Sequence, residues 1–292
     1  MNNNKFNTLL NDREWLRLTG IKKSTFNKML DILKVAEIEK FKKGGKTNKL
    51  SLENRLLMTL LYWREYQTYF HLGKSFDISE ANCYRNIKWI EDILIKNSDF
   101  QQLAGKKALI NDYFNDKTII IDATETPIQR PKKKKKQSYS GKKKKHTIKT
   151  QVIIEQETKK IIATSFFARK KHDDYALFKE SKIPILKNTK LIVDSGYQGI
   201  QKNHNNVLIP TKKTKKNPLN KEQKQYNRLV SKMRIIIENI FAILKKFKII
   251  TEKYRNRRKR FGLRFNLIAS IYNLHIIIFN IKYLFKIKII IK

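Results

Sequence analysis

Lys117 to Pro127, reading Lys-Thr-Ile-Ile-Ile-Asp-Ala-Thr-Glu-Thr-Pro, constrains this chain more than any other stretch. Thr118 to Ile121 are four consecutive β-branched residues, the composition of a short strand buried on both faces. The run stops at an acid, Asp122, and Pro127 predicts that the strand does not continue far. A sheet covered on both sides belongs to an α/β fold, and an acid at a strand end there faces the crevice where such sheets bind ligands. Taken alone, Asp122 reads first as an acid capping the next turn, ahead of any chemical role. Other acids in comparable places change that balance.

The second is Asp194, in Lys190-Leu-Ile-Val-Asp-Ser-Gly-Tyr-Gln-Gly, again a short aliphatic strand ending in an acid before a glycine-bearing turn. The third is Glu238, within Met233-Arg-Ile-Ile-Ile-Glu-Asn-Ile-Phe-Ala-Ile-Leu-Lys245. Pro218 precedes a long helix spanning about 221–247, and its isoleucines predict burial nearly all round. A carboxylate there requires a compensating cation. Arg234, four residues earlier, is one candidate and a metal ion is the other. Downstream of Asp194 only Glu222, Glu238 and Glu252 are acidic.

Between these acids, alternation over 148–155 and the run 161–167 predict two more strands, and 207–210 a further short one. A helical piece starts near Asp173. An oxygen-only donor set without cysteines or clustered histidines selects a hard cation, Mg²⁺ or Mn²⁺. Two such ions held by three acids suit phosphodiester chemistry, which then needs no covalent nucleophile.

Charge names the partner class. The 292 residues carry 65 Lys+Arg against 25 Asp+Glu, a net +40, yet 40% are hydrophobic, enough for a real core. Such an excess points to a polyanion, double-stranded DNA first and an anionic membrane surface second. The apolar tail 267–291 is interrupted by Asn273, His275, Asn280, Lys282, Lys286 and Lys288, too often for a membrane span. The asparagine-rich start has no apolar run of the signal-peptide kind, and the single Cys83 suits a reducing cytoplasm, so a cytoplasmic, nucleoid-associated protein is expected.

The N-terminal part reads as helical: residues 12–39, a linker at 42–49, then Leu52 to Leu61, Thr68 to Phe76, and a helix from Ser79 to Leu94. In the last, Cys83, Ile87, Ile90 and Leu94 fall on one buried face, and Asn82, Arg85, Asn86 and Trp89 on another. Helix, tight turn and a helix presenting Asn and Arg is the helix-turn-helix pattern, with Asn82, Arg85 and Asn86 as candidate DNA readers. An ordinary helical hairpin is the competing interpretation. The lysine tract 132–136 and 142–145 reads as an exposed hairpin loop, either solvated or gripping phosphate through Lys133, Lys134, Lys143 and Lys144. A basic patch spans 254–260, and the closing helix through Ile268, Ile271 and Leu274 is expected to pack on the sheet.

Asp122, Asp194 and the series Arg234-x3-Glu238-x6-Lys245, in this order, resemble the DDE transposases of bacterial insertion sequences. The group most similar is the insertion-sequence-five type, whose N-terminal module Leu18-Thr-Gly-Ile21 and 50–94 also resemble. The resemblance covers about residues 12–280. It implies an RNase H-like catalytic domain, a mixed sheet flanked by helices, at 117–285, joined by a connection (98–116) to a helical domain at 1–97. It further implies that Asp122, Asp194 and Glu238 are catalytic metal ligands, that Arg234 and Lys245 accompany the glutamate on DNA, and that transposon ends and target DNA are bound by an oligomer. The matching signature has a Tyr three residues before the Arg, where this chain has Ser231. His172-Asp173 resembles another recurring pair of the group. A helix-turn-helix protein with an inactive nuclease-like domain, or an RNase H-like nuclease without strand transfer, are the alternative readings.

Overall fold

The computed structural model describes residues 10–290 except 45–46, 101–102, 132–137, 142, 168–173 and 215–217, with side chains described to residue 276, residue 99 excepted. Lys133, Lys134 and His172-Asp173 therefore lie outside the described residues. The chain forms two compact units: Met1–Gln102 with Leu244–Glu252 and Asn256–Lys292, and Leu103–Ile243 with Lys253–Arg255.

In the first unit the single helix expected over 12–39 is two, α1 (Asp12–Thr19) and α2 (Lys23–Lys42). Gly20 breaks them: it takes φ 80°, and its N–H donates to the Leu16 carbonyl. Helices α3 (Leu52–Glu65), α4 (Tyr69–Phe76) and α5 (Glu80–Leu94) follow, and the side chains of Ser51, Thr68 and Ser79 accept hydrogen bonds from backbone N–H groups in each first turn. Between α4 and α5, Asp77 takes φ 51° and turns the chain within three residues. That is helix-turn-helix geometry, and Cys83, Ile87, Ile90 and Leu94 form the buried face of α5 as their spacing predicts. The last helix, α8 (Phe261–Ile290), packs on α2, on α5 and on the 3-10 turn Ser98–Phe100, not on the sheet as expected. Its buried stripe, Phe265, Ile268, Ile271, Tyr272 and Leu274, includes Arg264, which finds its counter-charge, Glu91, on α5. Among the described residues no helix is long and apolar enough to cross a membrane.

The second unit is built on a mixed sheet of β1 (Thr118–Pro127), β2 (Tyr139–Ser140), β3 (Lys145–Glu155), β4 (Ile161–Phe167), β5 (Lys190–Val193) and β6 (Val207–Leu208). β3 pairs antiparallel with both β1 and β4, whereas β5 runs parallel to β1 and β6 parallel to β5. The main order is thus β4-β3-β1-β5-β6, an antiparallel meander extended by two parallel strands, as in an RNase H-like domain. Helices α6 (Asp174–Ser181) and α7 (Lys221–Leu244) flank it. Ile119, Ile121, Leu191 and Val193 pack with Phe114, Phe178 and Ile183 in one core. Strand β1 runs to Pro127, five residues past the stop expected at Asp122, because β3 continues to pair with it as far as Thr147. Of the lysine-rich segment, the described part pairs Tyr139 opposite His146 and Ser140 opposite Lys145, with Lys143 and Lys144 exposed between them.

Candidate active site

The parallel pairing of β1 with β5 ends at Ile121 opposite Val193. The next residue on each strand is an aspartate, so Asp122 and Asp194 emerge side by side where the short strand β5 stops. Strands in a sheet lie about 4.8 Å apart, which sets the separation of the two backbones. Asp122 therefore owes its place to the end of its neighbour and not to the end of β1. Ala123 N–H donates to Asp122 Oδ1 at 2.7 Å, and Ser195 N–H donates to Asp194 Oδ1 at 2.5 Å. Both carboxylates are thus fixed by their own following amides.

The turn after Asp194 depends on its glycines. Gly199 takes φ 98°, and a Cβ at Gly196 would clash with the Asp174 carboxylate. Tyr197, between them, is fully buried, and its hydroxyl accepts from Gln151 Nε2 at 3.1 Å. Burial, with the negative charge of Asp174 adding to it, pushes the Tyr197 phenol well above its ordinary value and keeps it neutral. Asp174 pairs with Lys149 on β3 at 2.7 Å, so the turn carrying Asp194 rests on an ion pair bridging α6 and β3.

From α7, Arg234 reaches both strand ends. Its Nη2 donates to Asp122 Oδ2 at 2.8 Å and its Nη1 to Asp194 Oδ1 at 3.3 Å. The side chains are 11% exposed for Arg234, 14% for Asp122 and 39% for Asp194. Burial raises the Asp122 carboxyl above its usual range, against the opposing pull of Arg234 and the Ala123 amide. Arg234 is therefore engaged by the two aspartates. Its ion-pair partners are these aspartates and not Glu238.

Glu238 is exposed on α7, one turn beyond Arg234. The burial expected around it fails because Ile235 and Ile243 face solvent at 49% and 41%, leaving Ile237, Ile240, Phe241 and Leu244 as the apolar stripe. Its charge needs no compensation. Among the described residues no group of three or more His, Cys, Asp or Glu side chains is assembled to hold a metal. Two of the three expected acids converge and the third stands apart from them. Lys245 is exposed just past the last residue of α7.

The residues present nonetheless fit a hard cation. The two converging groups are carboxylates already gathered around one positive charge. Both offer oxygen only, the donor a hard cation takes, and Asp194 is open enough to solvent to be reached; the buried, unbonded Arg234 Nε is itself a donor and calls for an acceptor instead. In the helix-turn-helix, Asn82 and Arg85 are exposed on α5, with Arg85 Nη1 donating to Asn82 Oδ1 at 3.0 Å. Asn86, expected beside them on the reading face, is instead buried, bonded to the Asn48 side chain at 2.8 Å and to the Asn82 carbonyl at 3.0 Å. The expected set omitted Tyr84, exposed on the same helix, since a tyrosine carries no pattern that separates a reader from a packing residue.

An RNase H-like sheet presenting paired aspartates, in a chain with a helix-turn-helix, is the architecture of a DNA-processing nuclease. The model of the DDE superfamily endonuclease matches residues 121–280, that of the helix-turn-helix of DDE superfamily endonucleases matches 48–99, and the chain belongs to this family. It is 44% identical over 264 residues, 90% of this chain and 95% of the relative, to the "Probable transposase for insertion sequence element IS702" of Microchaete diplosiphon. It is 23% identical over 80% of its length, and 84% of the relative's, to the "Putative transposase for insertion sequence element IS112" of Streptomyces albus G.

Proposed function

We infer that this chain is the transposase of an insertion sequence of the insertion-sequence-five type, cutting DNA at the element's ends and joining the freed 3′-hydroxyl to target DNA. The observation that carries the reading is the convergence of Asp122 and Asp194, from neighbouring parallel strands, on one cation. The N-terminal helical domain binds the terminal inverted repeats, and the RNase H-like domain performs the chemistry within an oligomer on DNA.

Asp122, Asp194 and Glu238 would hold the divalent ions, Mg²⁺ or Mn²⁺ and two in number. When bound, these ions supply an activated water or 3′-hydroxyl and stabilise the leaving oxygen. Glu238 lies four residues from Arg234 along α7, so its backbone is about 6 Å of helix rise from that of the residue whose side chain touches both aspartates. The amides of Ala123 and Ser195 keep the two carboxylates oriented while Arg234 balances their charge. On the DNA, Asn82 and Arg85 read base edges, and Lys143, Lys144 and Lys245 meet phosphates; Lys133 and Lys134 are proposed for the same task.

The test is single alanine substitution at Asp122, Asp194 and Glu238, assayed for Mg²⁺-dependent cleavage of duplexes carrying the repeats that flank the gene. All three should lose cleavage and keep DNA binding, and retained cleavage in any one removes that residue from the site. Duplexes with pre-formed 3′-hydroxyl ends then separate a transposase from a simple nuclease by the presence of joined product.

A further inference from the structure

The basic segment following Asn256 is anchored at both ends onto the helix-turn-helix. Asn256 Nδ2 donates to the Tyr62 and Tyr66 hydroxyls at 2.6 and 3.0 Å, and Asn256 Oδ1 accepts from the Tyr69 hydroxyl at 3.2 Å. Three of the four hydrogen bonds available to the amide are used. At the other end Arg260 donates to Glu91 at 2.6 and 2.9 Å and to Asp92 at 2.9 Å, both on α5. Between these anchors lie three cations, Arg257 and Lys259 exposed and Arg258 half-buried in the 3-10 turn Arg258–Arg260. Among the described residues none of the three has an acidic partner.

Their neighbours are the elements that face DNA. Tyr69 stacks on Tyr62 at 5.0 Å and meets Tyr84 edge-on at 5.8 Å, and Tyr84 is 42% exposed on α5 beside Asn82 and Arg85. A tyrosine layer thus joins the Asn256 anchor to the reading face. Holding three unpaired cations in one place is unfavourable unless an anion answers them, and a strongly basic chain offers no internal one.

We propose that Arg257, Arg258 and Lys259 are a phosphate clamp of the helix-turn-helix, gripping the duplex backbone beside the groove that α5 reads. The clamp arrives from a part of the sequence more than 160 residues beyond α5 (257 − 94), so the helix-turn-helix stretch alone lacks it. The inference rests on the DNA-binding role given to α5 above. It adds a second class of contact, one that sets affinity and register and carries no sequence information.

The experiment uses the full chain and two 30-base-pair duplexes, one carrying the element's end and one a scrambled sequence, titrated by fluorescence anisotropy over a range of salt. The variants are the triple change Arg257→Gln, Arg258→Gln, Lys259→Gln, the anchor change Asn256→Ala, and Arg85→Gln. The triple variant should weaken both duplexes equally and lower the log–log salt slope by about 2 to 3, at about 0.9 per lost phosphate contact. Asn256→Ala keeps every cation yet should weaken both duplexes too, an effect that charge counting alone does not give. An unchanged slope in the triple variant overturns the proposal, and so does unchanged affinity in Asn256→Ala. Arg85→Gln reports on the reading role separately: it should lower the ratio of end to scrambled affinity, and if it leaves that ratio intact, the role of α5 fails while the slope comparison stays readable on either duplex.

Discussion

Each unit buries an ionic cluster around an arginine, and the two are built to different standards. In the helix-turn-helix unit Glu91 is fully buried, and each of its oxygens takes two hydrogen bonds: Oε1 from Trp63 Nε1 and Arg264 Nε at 3.0 and 2.7 Å, Oε2 from two nitrogens of Arg260. Arg264 also lies over the Tyr62 ring at 5.2 Å. Among the described residues no polar side-chain atom of this cluster is buried unbonded, although elsewhere in the same unit Arg55 Nε is. In the catalytic unit Arg234 serves two aspartates but leaves Nε buried and unbonded, and Asp194 stays 39% exposed. A closed network fixes the position of α5 against α8. An open one keeps charge concentrated where a ligand can reach it.

The sharpest way to break this contrast is to remove one carboxylate from each cluster. Asp194→Ala should lower end cleavage by about three orders of magnitude or more, the loss of several kcal/mol of transition-state stabilisation. Its thermal midpoint should move little, because the removed group is partly solvated. Glu91→Leu should do the reverse. Leaving Arg264 buried without its partner costs about 3–5 kcal/mol, read as a lower denaturation midpoint at unchanged m-value. Replacing Arg264 with Met in the same chain should recover part of that loss, since an apolar pair of similar volume is tolerated where a lone charge is not. Equal stability losses at Asp194 and Glu91 would erase the distinction.

This contrast also explains what could be read from the sequence. Hydrophobic periodicity places α3, α4 and α5 and the strands β3, β4 and β5 near their observed limits, because apolar positions determine each, whereas β1 runs past its aliphatic stretch. Asp122 and Asp194 stood out because acids that close aliphatic runs are costly. Their adjacency was not legible, since it depends on which strands pair in parallel and where β5 stops. The ion pairs of Arg234 with the aspartates are hidden for the same reason. Its partners are 112 and 40 residues away, and helical spacing sees only Glu238. Asn86 looked like a reader because Asn82 and Asn86 share a face, but that face is partly covered by the segment holding Asn48. The position of α8 escaped as well: an apolar helix does not announce which surface it covers, and only the pairing of Arg264 with Glu91 reveals it.

A smaller effect tests whether burial in the helix-turn-helix unit really demands complete pairing or neutrality. His275, on α8, bonds the Thr25 hydroxyl on α2 at 3.0 Å. Burial, with Lys22 nearby, pulls it down to about 4. Because its folded value lies below the ordinary 6.5, the neutral ring is favoured by folding. The stability it contributes is full above about pH 6.5 and is lost as pH falls toward and through 4. His275→Gln keeps a hydrogen-bonding group and removes the titration. The variant should therefore lack up to about 3 kcal/mol of the destabilisation that the parent shows between pH 7 and 4. Parallel stability–pH curves for the two chains would mean that the ring takes up its proton alike in the folded and the unfolded chain.

The smallest expected effect concerns the start of α5. Ser79 Oγ accepts from Asn82 N–H at 3.3 Å, so the cap and the first candidate reader share one turn. Ser79→Ala removes a single exposed hydrogen bond and should cost about 1 kcal/mol of stability, visible as a modest midpoint shift. Its consequence for DNA is more telling than its size. If α5 is held mainly by Glu91, Arg260 and Arg264 at its far end, fraying the first turn loosens Asn82 and lowers discrimination between end and scrambled duplexes, while the contribution of Arg257 to Lys259 to both is unchanged. Affinity that falls equally for the two duplexes would instead place the control of the whole helix at its capped end, and the closed network around Glu91 would then be structural support for the core alone.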